Sequence, residues 1–171
     1  SSVDAFVGKE TTSQVVTLAP AGSTAGSKAT GFAGAFGAEV TRVIEKEGLH
    51  KLDVTYTASG EIEDGKILEA LAARTATGNS ASLDNSASSA SGAGLYLQVT
   101  AASGSSPTLD IVVQHSADDS TFTTLATFTQ ATAIGAERKT ASGTVNRYLR
   151  VAATVGGSSP SFTYTVAVAR G

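Results

Sequence analysis

From residue 11 onward, β-branched and aromatic residues recur at every second position between clusters of Gly, Ser and Asp. In an extended chain successive side chains point to opposite faces, so this period marks half-buried strands. The run at 51–58 is the clearest: Leu52, Val54, Tyr56 and Ala58 alternate with Lys51, Asp53, Thr55 and Thr57. One apolar and one wet face are expected there. Further strands are predicted over Thr12–Leu18, Thr30–Lys46, Leu49–Ile62, Leu95–Ala101, Leu109–His115, Thr121–Thr129, Asn146–Val155 and Phe162–Ala169. Gly34 and Gly37 predict a bulge in the second of these. Glu45-Lys46-Glu47-Gly48 reads as a charged hairpin tip, and Pro20 to Lys28 as a mobile loop. Only Val3–Val7 and Ile67–Arg74 have a helical reading. The expected fold is all-β: an N-terminal hairpin and sheet region over 1–70, then an antiparallel β-sandwich, immunoglobulin-like or jelly-roll, over 71–171.

Charge divides the chain the same way. Residues 1–70 hold ten acids and six bases, and residues 71–171 hold five acids and six bases, within a net charge of −3. A chain without a basic surplus has no strong electrostatic reason to hold DNA. Cysteine is absent, which excludes disulfides and thiolate metal sites. No run of apolar residues is long enough for a transmembrane helix. A chain of 171 residues can bury one good core or two small ones, so partner subunits are expected to supply part of the stability. Residues 79–94 are rich in Ser, Ala and Gly, with Leu83 their only large apolar side chain before Leu95. An internal echo follows: Gly104-Ser105-Ser106-Pro107 and Gly157-Ser158-Ser159-Pro160 each precede a strand-like run. Equivalent hairpins are the expected explanation.

Candidate chemistry is sparse. His50 sits beside the hairpin tip and His115 before the turn Ser116-Ala117-Asp118-Asp119, and a structural role is preferred for both. Asp118-Asp119 with Ser116 and Ser120 offers oxygen ligands to calcium, but aspartates in turns commonly bind their own backbone amides. Glu61, Glu63 and Asp64 fit a solvated acidic edge better than a glycosidase carboxylate pair. No catalytic residue, metal site or cofactor is expected. On the sandwich, alternation puts Leu149 and Val151 inward and Tyr148 and Arg150 outward, which makes Tyr148 and Arg150 the candidate ligand-facing residues.

Three stretches, Val3-Asp4-Ala5-Phe6-Val7-Gly8, Val15 to Ser23 and Lys51 to Gly60, resemble the later half of the tube proteins of long-tailed phages. Ser106 to Asp110, Phe128 to Ala133, and Ser158 to Phe162 with Val166-Ala167-Val168 resemble a β-sandwich module of phage structural proteins. The resemblance implies a non-enzymatic virion subunit that forms rings around the DNA conduit, with partners that are copies of itself and other virion proteins. It implies DNA passage without specific binding, and the shortness of the apolar runs gives no expectation of a membrane partner. A wet face neutral to acidic suits such a conduit, and Glu39, Asp53 and Glu61 are the candidates for it. The earlier half of the tube fold has no counterpart here, so either a segment precedes residue 1 or residues 1–70 dock differently, as in capsid decoration. Val113 to Phe122 followed by Arg147-Tyr148-Leu149-Arg150 is also similar to discoidin-like modules, which implies a host-surface glycan as an alternative partner.

Overall fold

The computed structural model describes the backbone of residues 14–44, 50–58 and 60–171, and the side chains of 14–34 and 60–171. Among the described residues there is no helix. Ten strands form one antiparallel sheet: β1 (Gln14–Leu18), β2 (Lys28–Ile44), β3 (His50–Ala58), β4 (Ile62–Arg74), β5 (Gly78–Asn79), β6 (Leu83–Asp84), β7 (Ala93–Ser116), β8 (Thr123–Thr127), β9 (Gly135–Ala141) and β10 (Tyr148–Arg170). The all-β expectation holds.

Two strands dominate. β7 has 24 residues and β10 has 23, several times the usual ~5–6. They pair antiparallel from Ser116↔Tyr148 to Ala93↔Arg170. The four runs expected as separate strands, Leu95–Ala101, Leu109–His115, Asn146–Val155 and Phe162–Ala169, are therefore two continuous ones. The Gly-Ser-Ser-Pro motifs that were expected to open equivalent hairpins instead lie opposite each other inside this ribbon, at its register shifts. Gly104 and Gly157 have φ of +117° and +107°, and Ser106 and Ser159 have φ of +48° and +49°. The arrangement is reciprocal: a Cβ on Gly104 would meet Ser159 O and Pro160 Cα, and one on Gly157 would meet Ser106 O and Pro107 Cα.

Either side of this joint, both halves of the ribbon bury side chains in the same core. Leu95, Phe162 and Val166 come from one half, and Leu109, Ile111, Val113 and Leu149 from the other, all fully buried. With no helix to cover a sheet face, such burial requires the ribbon to fold over onto itself. β4 and β9 flank the half nearer residues 93 and 170, while β8, β5 and β6 flank the other. The first half is covered on both sides, because Tyr96, Ala167 and Ala169 join Ala29 and Ile67 in a second cluster against Val15 and Ala19. The second half keeps its outer face open, and there burial alternates along Leu149, Arg150, Val151 and Ala152.

Ile67–Arg74 is a strand rather than a helix. Ile67, Leu68 and Glu69 are all buried, and β4 pairs with β2 on one side and β10 on the other. Tertiary ladders outweigh the local helix preference of Leu, Glu and Ala. Residue 70, the expected domain limit, falls within this strand. The Pro20 to Lys28 segment is tied down by Gly26 N–H donating to Ile67 O and Ile67 N–H to Ser27 O. β9 escaped prediction because GAERKTA carries no apolar alternation; it is held as a mostly polar edge of β7. The bulge near Gly37 is present, as a shift between Gly37 and Glu39 where β2 pairs with β3. Val3–Val7 and the hairpin tip Glu45-Lys46-Glu47-Gly48 lie outside the described residues.

Candidate functional site

The open outer face of the second half carries the residues that sequence alternation singles out, Tyr148 and Arg150. Leu149 and Val151 point into the core, which leaves Tyr148 and Arg150 half-buried on the opposite side. Arg150 stacks on Phe122, with the guanidinium carbon 3.8 Å from the ring centroid. Its Nε donates to Gln114 Oε1 at 2.8 Å, across the ladder pair Arg150↔Gln114. Tyr148 is engaged differently: Arg147 lies 4.9 Å from its ring centroid and donates twice to the Asp84 carboxylate, each at 2.6 Å. Arg147 and the Ser86 amide hold that carboxyl down at about 2. Sequence reading picked out Tyr148 and Arg150 but gave no sign of the partner each would take. Phe122 and Gln114 reach Arg150 only through strand pairing.

Other titratable groups are absorbed by local structure. Asp118 Oδ1 accepts from Ser116 Oγ and from the Ser120 and Thr121 amides, which lowers its pKa and leaves it as a turn cap. His115 Nδ1 accepts from the Asn146 amide at 3.2 Å, and burial lowers its pKa. Among the described residues no group of three or more His, Asp or Glu side chains is placed to hold a metal ion. The acidic-edge expectation needs correction at Glu63. Its carboxylate accepts from Tyr96 Oη and from Arg138, whose Nε and Nη2 lie at 2.9 and 2.7 Å. Burial and then Glu63 push the Tyr96 phenol up to about 12. Space for this trio comes from glycine: a Cβ on Gly94 would run into the Glu63 carboxylate, and one on Gly31 into the Tyr96 ring. Asp64 is bonded to Thr30, at 2.7 Å.

A second buried acid sits beside a groove of about 300 Å³ lined by Glu69, Arg74, Asn79, Ser80 and Tyr164. Glu69 is ion-paired with Arg74, and burial with Glu69 nearby pushes the Tyr164 phenol up to about 12. Among the described residues Glu69 is the one acid lining this groove.

The three candidate conduit residues are spread over two elements. Register sets Glu39 opposite Thr55 and Asp53 opposite Thr41, so the two acids occupy ladder positions of the same parity. Glu61 is exposed on the segment leading into β4. The fold and its surface thus define an antiparallel all-β protein with one arginine-bearing open face and a separate hairpin. Comparison with protein-family models, curated proteins and solved structures finds no match for it.

Proposed function

We propose that the chain is a non-enzymatic structural subunit of a tailed-phage virion, a tube protein that assembles with copies of itself into rings around the DNA conduit while the folded ribbon decorates the outside. The observation that supports this reading is the pairing of β3. Among the described strands it bonds to β2 alone, and from Phe36 onward β2 pairs only with β3. A two-stranded ribbon is marginal in water by itself, and a free strand edge is a template for another chain. The core of β7 and β10, by contrast, is closed within the chain. The need for a partner is concentrated in the hairpin, and a net charge of −3 suits a wall that DNA passes without being held.

Capsid decoration uses the same hairpin on a different surface, and electron microscopy with sedimentation separates the two. Rings or tubes of purified protein are the expected result. Trimers seen only on capsid shells would replace the tube with a decoration subunit. Monomers that persist at high concentration and bind no virion component would overturn both.

A further inference from the structure

The open face carries a hydrogen-bonding group with donors and no acceptor. Arginine Nε can only donate, so its bond to Gln114 assigns the Gln114 oxygen as the acceptor and turns the amide nitrogen away from it. Neither that Nε2 nor the two Nη atoms of Arg150 have an acceptor among the described residues. Arg74, Arg138 and Arg147, by contrast, each have a carboxylate. The Arg150 plane is fixed by Phe122 beneath it and Gln114 at its Nε edge. A fork immobilised before binding loses little rotamer entropy on taking a ligand, and guanidinium matches a planar oxyanion with two parallel bonds.

Asp84 is already committed to Arg147 and Asp118 to its own turn. Two hydroxyl-bearing residues share the ladder face of the fork. Tyr148 lies two positions along the same strand, its Cα roughly 7 Å from that of Arg150, and exposed Thr124 pairs with Gln114. We propose that Arg150 and Gln114 form a subsite for the carboxylate of an acidic sugar, with Tyr148 and Thr124 placed for the ring hydroxyls. A protein carboxylate needs the fork alone, whereas a fork whose face also carries Tyr148 and Thr124 suits a polyhydroxylated ring. The inference does not depend on self-assembly.

The test is a titration of the intact chain with glucuronic acid and N-acetylneuraminic acid, followed through the Arg150 Nε and Gln114 side-chain NMR signals, with glucose and acetate as comparisons. Both sugar acids are expected to shift these signals, acetate more weakly, and glucose not at all. Arg150→Met should weaken binding about tenfold or more, the loss expected for a charge-assisted bond. Arg150→Lys, which keeps the charge and loses the fork, should fall between. Acetate binding as tightly as the sugar acids overturns the sugar assignment. The subsite itself is overturned by signals that no acid shifts, by binding unchanged in both variants, or by variants that alter only sedimentation, which would move Arg150 to a contact between chains.

Discussion

Gly157 shows how one residue can hold the ribbon joint. Its φ of +107° is strained for any L side chain, and a Cβ there would press on Ser106 O and Pro107 Cα, backbone atoms with little freedom to move. Gly157→Ala is expected to cost about 1–3 kcal/mol for the backbone angle plus a packing penalty, read as a lower urea midpoint. Gly143 is the comparison, with φ +81° and nothing within 4 Å of the added Cβ, so Gly143→Ala carries the backbone cost alone. Equal losses at both sites would remove the packing argument. His115 makes a second prediction. Burial lowers its pKa below the ordinary imidazole value, so its contribution to stability is full above that value and is lost as pH falls toward the folded one. Protonation also removes the acceptor used by the Asn146 amide. Denaturation at pH 7.5 and pH 5.5 should show a drop in the parent that is smaller in His115→Asn, because an amide oxygen does not titrate.

At the scale of the element, the alternation that reveals β7 and β10 also assigns their faces. Period two assigns Leu109, Ile111, Val113, Leu149, Val151, Phe162, Tyr164 and Val166 to inward positions, and all eight are buried. Truncating Ile111 or Leu149 to alanine should cost about 2–5 kcal/mol by calorimetry or denaturant titration. Losses below about 1 kcal/mol at both would contradict their burial. The same alternation misled where an element is covered on both faces, since Tyr96 and Ala167 are as buried as their neighbours. It also missed β9, whose place on the β7 edge comes from backbone pairing rather than apolar side chains.

For the whole molecule, the central question is what covers the hairpin of β2 and β3. If Asp53 and Glu61 face a DNA conduit, replacing both with lysine should leave particle assembly intact and impair DNA delivery, because added cations hold phosphates. Unchanged delivery by such particles would remove the conduit assignment and favour decoration. The Glu63, Tyr96 and Arg138 trio belongs to this scale too, as it joins β4 to β7 and β9. Arg138→Met should cost more than Tyr96→Phe in thermal unfolding, since it leaves a half-buried carboxylate without its cation.

Strand class and inward faces follow from residue types and their period, because alternation is a local property of an extended chain, and the lack of a basic surplus follows from composition. Phe122 under Arg150, Gln114 at its edge, the Glu63 trio and the opposition of the two Gly-Ser-Ser-Pro motifs are contacts between residues 28 to 75 positions apart. Which residues meet at such separations depends on strand order and register. These are settled only when the ribbon folds over and one core closes both of its halves, so the tertiary structure alone decided where the chemistry of this chain comes together.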